Sequence, residues 1–290
     1  MSLVALVGTR LHAGETAYHS VDAMLHALSL GYGEDPLDTR QLRHVYEERL
    51  CVLPTLPLVL GWQGVWMPAS VPGLALDLPR MLHAEERLDL PRRLPPAGIV
   101  REEVWVDAVL DRGAARGAYV HTRKELYSEN DGLHLATLRS CVLARGDGGG
   151  GSAGLAPPAL EPTPARPAEA TRTRPTLRHQ ALLYRLNGDL NPVHASPAVA
   201  ARAGFERPLL HGRCTLGLAL REVLETCLDD DAAEIARVEV RFAAPFFPGE
   251  TLRVRIWRDW KRIAFSADCV EREITVLSHG RVELRGAKES

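Results

Sequence analysis

GRCTLGLALREVLETC (residues 212–227), followed by RVEVRF (237–242) and TLRVRIW (251–257), sets the architecture of this chain. In the first stretch Leu216, Leu220, Val223, Leu224 and Cys227 recur at helical spacing. Thr215, Gly217 and Ala219 keep the first turns slim. The pattern predicts a helix that begins near Gly212 and is wrapped closely by its surroundings. Arg221 and Glu225 are four apart and are expected to pair on its wet side. Beyond Asp231 the period drops to two. Val238, Val240 and Phe242 alternate with Arg237, Glu239 and Arg241, and Leu252, Val254 and Ile256 alternate with Arg253 and Arg255. Residues 262–270 and 274–284 read as further strands, and Pro248-Gly249 as a turn. One helix followed by an antiparallel sheet able to curl around it is an α+β layout.

Just upstream, Ser196 followed by Pro197 is an N-cap with proline at the first helical position, and that short helix should end at Gly204. Further back the composition changes abruptly. Residues 146–154 are mostly glycine and residues 155–167 are rich in Pro and Ala. Such a stretch supports neither a helix nor a central strand and reads as flexible coil. The chain divides into residues 1–145, a linker over 146–170, and residues 171–290. The first part repeats the order of the last more loosely. An apolar, helix-like element covers residues 57–66. Leu88-Asp89-Leu90 before a Pro95-Pro96-Ala97-Gly98 turn echoes Val240-Arg241-Phe242 before Pro248-Gly249, and strand-like runs cover 100–110, 117–127 and 133–143. The echo suggests duplication.

Composition narrows the function classes. A formal net charge of −2 over 290 residues gives no field that recruits nucleic acid or anionic membrane. No window reaches the length of a membrane span. Residues 3–7 are too short for a signal peptide, and the last four residues are not a peroxisomal address, so a cytoplasmic location is expected. The five cysteines are odd in number and lack a Cys-x-x-Cys pair, which favours reduced thiols over disulfides or a zinc site. The eleven histidines show no His-Glu-x-x-His or similar ligand pairing, so no metal is expected. No nucleophile elbow, dinucleotide fingerprint or phosphate loop is present, and no cofactor is expected.

The chemistry-bearing run is Tyr184-Arg185-Leu186-Asn187-Gly188-Asp189-Leu190-Asn191-Pro192-Val193-His194, with Pro208-Leu209-Leu210-His211-Gly212 after it. Asp189 and His194 share a loop held by Gly188 and Pro192, with Asn191 able to orient it. Bridged to one water, the pair can take a proton from it and deliver one to a neighbouring carbon. Gly212, at the mouth of the long helix, offers an unpaired N–H to a thioester oxygen that gains negative charge. Each element alone has a plainer reading: an Asx-type turn with a surface histidine, and a glycine that permits tight packing. His211 reads as a structural ring bonded to backbone.

The run resembles the motif of the (R)-specific enoyl-CoA hydratases, the type-2 or MaoC-like hydratase/dehydratase family. The resemblance continues through Ala203-Gly204-Phe205-Glu206-Arg207-Pro208-Leu209-Leu210-His211-Gly212 and Arg241-Phe242-Ala243-Ala244-Pro245-Phe246-Phe247-Pro248-Gly249. In the first half it runs through Leu82-His83-Ala84-Glu85 and Asp107-Ala108-Val109-Leu110-Asp111-Arg112-Gly113. It implies a double hot-dog fold, two repeats each wrapping a sheet around a central helix, paired again into a homodimer. It implies syn addition of water to a trans-2-enoyl-CoA, with Asp189 and His194 activating the water, Gly212 as oxyanion donor and Asn191 orienting. Substrate contacts are implied for His83, Ala84, Arg112, Tyr184 and Phe242, with Arg112 suited to CoA phosphate. Two residues depart from the family: Ala84 stands where glycine is usual, and Arg213 where an apolar residue is usual. Arg213 is expected to extend the CoA grip or to meet a carboxylate on the substrate. The acyl-CoA is then the only partner besides a second copy. Thioester hydrolysis on the same fold and non-catalytic acyl-CoA binding are the alternatives.

Overall fold

The period-two stretches pair into one continuous antiparallel sheet. The computed structural model describes residues 2–62, 80–259 and 262–286. Its strands are β1 (Arg10–Tyr18), β2 (Met81–Asp89), β3 (Gly98–Asp111), β4 (Ala118–Ser128), β5 (His134–Ala144), β6 (Ala153–Gly154), β7 (Ala170–Pro175), β8 (Ile235–Phe242), β9 (Thr251–Asp259), β10 (Arg262–Cys269) and β11 (Ile274–Leu284). The helices are α1 (Ser20–Ser29), α2 (Thr39–Leu42), α3 (Gln180–Tyr184), α4 (Pro197–Arg202) and α5 (Gly212–Cys227). The sheet order is β1-β3-β4-β5-β2-β8-β11-β10-β9-β7, with the two-residue β6 on β3. Read outward from the β2–β8 seam, each half follows the same path: its second strand, then fifth, fourth, third and first. That is the geometric counterpart of the sequence echo, and the architecture is a double hot-dog.

At the seam Glu85 lies opposite Arg241, Leu88 opposite Val238 and Asp89 opposite Arg237. Cross-strand carboxylate–guanidinium pairs of this kind favour the antiparallel register. On the inner side Leu88, Val100, Leu126 and Leu138 of one half share a core with Leu216, Leu220, Val238 and Phe265 of the other. A smaller apolar cluster joins Leu3 and Leu6 to Val106, Val120 and Val142.

The long helix forms where its spacing predicts, but it has no wet side. The twelve residues from Arg213 to Leu224 are all buried. Arg221 does pair with Glu225, at 2.8 Å, yet its side chain is 2% exposed. Its guanidinium lies 5.0 Å from the Tyr32 ring centroid. It donates to the Gly31 carbonyl at 2.5 Å and to Gln41 Oε1 at 2.9 Å. Helical periodicity sees only one element and cannot know that a second half closes over the polar face.

The helix-like element expected at 57–66 is a single 3-10 turn, Leu56–Leu58, in the part that lies within the described residues. Its downstream backbone is bonded by side chains rather than by helix. Glu102 accepts the Trp62 N–H at 2.8 and 2.9 Å, and Lys124 Nζ donates to the Leu60 and Trp62 carbonyls. The Gly-rich stretch is likewise tied down: Asp111 accepts the N–H groups of Gly149 and Gly151 at 2.8 and 3.1 Å, and Ser152 Oγ accepts that of Asp111. Glycine gave the backbone freedom to meet the carboxylate, and the sequence alone does not reveal which of the two follows.

The close wrapping of α5 has a direct test. A Cβ on Gly217 would stand 2.6 Å from Leu30 Cδ2. Gly217→Val should lower stability by about 1–3 kcal/mol through overpacking. Calorimetric melting checks this, and an unchanged melting temperature would mean that the helix is loosely held there.

Candidate active site

The motif loop leaves the short α3 through a 3-10 turn, Arg185–Asn187, and turns sharply at Gly188, whose φ is +112°. An L-residue with a side chain is strained there. Asn187 anchors the turn to the other half, donating to Ser29 Oγ at 3.0 Å. Asn191 then caps the next turn, Pro192–His194: its Oδ1 accepts the Val193 N–H at 3.1 Å, and its own N–H donates to Asp189 Oδ1 at 3.2 Å. Its Nδ2 is buried without a partner.

These turns bring Asp189, His194 and His211 together, each offering a carboxylate oxygen or ring nitrogen within 4.8 Å of the others. A water oxygen that makes bonds of about 2.8 Å to two acceptors spans such a gap. His194 Nδ1 lies 3.0 Å from the Leu209 carbonyl, so Nδ1 carries the proton and donates, leaving the Nε2 lone pair as acceptor. The two imidazoles stack with centroids 3.6 Å apart and planes 23° apart. His211 Nε2 donates to the Asp189 backbone carbonyl at 3.2 Å. The ring therefore bonds backbone as the sequence suggests, and it also braces His194. A metal ion sits in the plane of each imidazole that ligates it. Two nearly parallel stacked rings offer no common point of that kind, which argues against the trio as a chelate.

Burial pushes His194 below the ordinary histidine range, against the raising effect of Asp189. It pushes His211 well below, and the neighbouring His194 adds to the shift. Both rings are neutral near pH 7, and His194 stands ready as a base. The Tyr184 ring lies 5.0 Å from that of His211. Its phenol is 1% exposed with no hydrogen-bond partner, and burial drives its pKa well above 10.

Gly212 follows His211 as the first residue of α5. Its N–H has no partner among the described residues, since the first helical bond is made by Thr215 N–H to the His211 carbonyl. A Cβ here would come within 3.1 Å of the Phe242 ring. That ring packs on His83 with centroids 4.6 Å apart. Ala84 occupies the β-bulge between β2 and β5 beside it. Gly212, Phe242, His83 and Ala84 thus form one group, and it meets the Asp189 group at the His211–Gly212 bond.

Two of the residues assigned to substrate lie elsewhere. Arg112 joins neither group: it stacks over Tyr119 at 4.9 Å and, with Arg80, Arg116 and Arg145, lines a cavity of about 280 Å³. Arg213 is turned inward, which corrects the expectation that it grips CoA or a substrate carboxylate. Its guanidinium donates to Glu86 Oε2 at 2.9 Å, the Leu58 carbonyl at 2.9 Å and Ser140 Oγ at 3.3 Å, all in the first half. Glu86 is 1% exposed. Burial works to raise its pKa, but the Arg213 charge and His83 outweigh that and hold it below the usual carboxylate range. The sequence carried a signal for this partner, because Glu86 shares an inward strand face with Leu88, and a buried arginine requires an acid.

Family comparisons match both halves. Residues 159–279 match the MaoC like domain, and residues 17–146 the MFE-2 hydratase 2 N-terminal domain. The chain is 38% identical over 287 residues to "Enoyl-CoA hydratase ChsH3" of Mycobacterium tuberculosis, covering 98% of each protein. It is 32% identical to "Enoyl-CoA hydratase 2, peroxisomal" of Arabidopsis thaliana, covering 98% of this chain and 96% of that one. Among solved structures, the full-length peroxisomal multifunctional enzyme type 2 of Drosophila melanogaster superposes with a TM-score of 0.81 at 34% identity, covering 94% of this chain and 48% of that one.

The neutral buried imidazoles have a consequence for stability. His26, pushed down to about 3 by burial, joins His194 and His211 in staying unprotonated while the unfolded chain protonates near 6.5. Below that pH the unfolded state binds more protons, so stability falls as the solution is acidified. The melting temperature should be level from pH 8 to 7 and drop progressively below about 6.5; a flat profile down to pH 5 would show that these rings protonate freely in the folded protein.

Proposed function

The chain belongs to the MaoC-like, type-2 hydratase family, and from that premise we propose that it catalyses the reversible syn hydration of trans-2-enoyl-CoA to (3R)-3-hydroxyacyl-CoA. It is a hydro-lyase. The observation that carries the mechanism is the convergence of Asp189 and the free Nε2 of His194 beside the unpartnered Gly212 N–H. Asp189 and His194 hold one water. His194 takes its proton as the oxygen bonds to C3, the π electrons move toward the thioester oxygen, and the Gly212 amide stabilises that oxyanion. The proton then passes to C2 on the same face, because the same pair serves both steps. Dehydration runs the sequence backwards. No cofactor is needed, since every proton and charge has a protein group to meet it.

Mixing the protein with crotonyl-CoA and following loss of the conjugated-enone absorbance tests this. Asp189→Asn or His194→Gln should each lower kcat by about 10²–10⁴-fold. Unchanged turnover in either would defeat the assignment. Release of free thiol instead of hydration would favour the hydrolytic alternative.

CoA rather than a carrier protein is the favoured thioester carrier. The four arginines of the cavity at Arg112 provide planar donors matched to phosphate oxygens. Arg112→Ala should raise KM for crotonyl-CoA about tenfold, the loss of one charge-assisted bond, and leave that for crotonyl-pantetheine unchanged. An equal rise for both substrates would remove phosphate from its role.

No helix among the described residues is long and apolar enough to cross a membrane. A cytoplasmic setting is supported by cysteines that are all unpaired. A homodimer is supported by Leu28, Leu182, Leu186 and Leu190, which stay 47–59% exposed in the single chain.

A further inference from the structure

His211 carries none of the atoms assigned to the reaction, yet it contacts each residue that does. It is the N-cap of α5, the point where the motif loop meets the helix, and it is 1% exposed. Its contacts leave in three directions. Nε2 donates to the Asp189 carbonyl at 3.2 Å, which fixes the backbone that bears the carboxylate. The ring face stacks on that of His194, centroids 3.6 Å apart and planes 23° apart. The backbone carbonyl accepts the Thr215 N–H at 3.0 Å and the Thr215 hydroxyl at 3.2 Å, which starts α5 and so sets the direction of the Gly212 N–H.

The partners decide the tautomer. A carbonyl oxygen only accepts, so Nε2 of His211 carries the proton and Nδ1 keeps its lone pair. That Nδ1 is buried without a hydrogen bond. An apolar ring would fill the same place without leaving an acceptor bare, so packing alone does not account for an imidazole here. What the imidazole adds is the N–H on Asp189.

The stack adds a second constraint. The bond from His194 Nδ1 to the Leu209 carbonyl fixes one corner of that ring but leaves it free to swing about the bond. A ring lying flat on its face removes the swing and keeps the Nε2 lone pair aimed at the water. Two imidazolium rings at this separation would repel, so only one of the pair can take a proton. Burial and the neighbouring His194 keep His211 neutral, which leaves the proton of the water to His194. The other titratable or charged groups against the two rings are Asp189 and Arg185 of the motif loop and Tyr184 of α3.

We propose that His211 is a positioning residue for the hydration: it holds Asp189 through the backbone, His194 through the ring face and, through its own peptide, the Gly212 amide. The inference rests on the hydratase reading for its reaction, but the state of the His194 ring can be followed without turnover.

Two variants divide the contacts. His211→Gln keeps an N–H able to reach the Asp189 carbonyl and removes the stacked ring; His211→Phe keeps a ring and removes the N–H. With crotonyl-CoA each should lower kcat at least about tenfold, as small misplacements of reacting groups do, while KM stays within about twofold because ground-state binding is untouched. In parallel, nuclear magnetic resonance of ring-labelled histidine follows His194 in substrate-free protein. In His211→Gln the His194 ring should take up its proton about one pH unit higher than in the parent, and in His211→Phe it should keep the parent's Nδ1–H tautomer. Parent-like kcat in both variants overturns the proposal, as does a His194 titration left unchanged in His211→Gln. Activity that falls only in step with folded protein, with His194 titrating as in the parent, assigns His211 to packing and overturns it too. A parent that leaves crotonyl-CoA unhydrated defeats the hydratase reading instead, and the His194 titration still decides what His211 holds.

Discussion

A helix buried on every side must have every polar group answered, and α5 is such a helix. Arg213, Arg221 and Glu222 sit within its enclosed stretch. Stranding any one of these charges costs several kcal/mol. Each therefore dictates a neighbour: Glu86, Ser140 and the Leu58 carbonyl for Arg213, Gln41 and the Gly31 carbonyl for Arg221, and Arg174 for Glu222. All but the last belong to the first half of the chain. The two repeats are thus locked to one helix by directional bonds as well as by apolar area, which by itself would tolerate sliding.

That lock places the chemistry. The N-terminus of α5 is where Arg213 is clamped, so the neighbouring Gly212 amide is fixed relative to Phe242 and His83. The motif loop reaches the same point by a different route, through Asn187 on Ser29 and His211 on the Asp189 carbonyl. Two independent anchors converge on the His211–Gly212 bond, which is what a preorganised acid–base pair beside an oxyanion donor requires. Burial keeps His194 and His211 neutral, so the base needs no proton removed before it acts.

Duplication left the molecule asymmetric in a specific way. Both halves follow the same strand path, but among the described residues only the second places a long helix under its sheet. In the first, the buried Lys124–Glu102 pair bonds the backbone at Leu60 and Trp62 after the 3-10 turn Leu56–Leu58. Burial drives Lys124 down to about 8, a sign of how dry that interior is. The free N–H donors of α5 consequently serve one end of the seam only.

The sequence by itself determined the strands of the second half, the two helices that Ser196 and Gly212 begin, and the pair Asp189 and His194, because these rest on local spacing, caps and turn residues that act within a few positions. The resemblance added His83, Ala84 and Phe242 to that pair and the Gly212 donor. Tertiary structure alone decided that Arg221 is dry, that His211 stacks on His194, and that the glycine-rich stretch is bound to Asp111. Each of these depends on a partner outside the residue's own element. Burial and charge pairing are set by what closes over a side chain, and periodicity within one element carries no record of it.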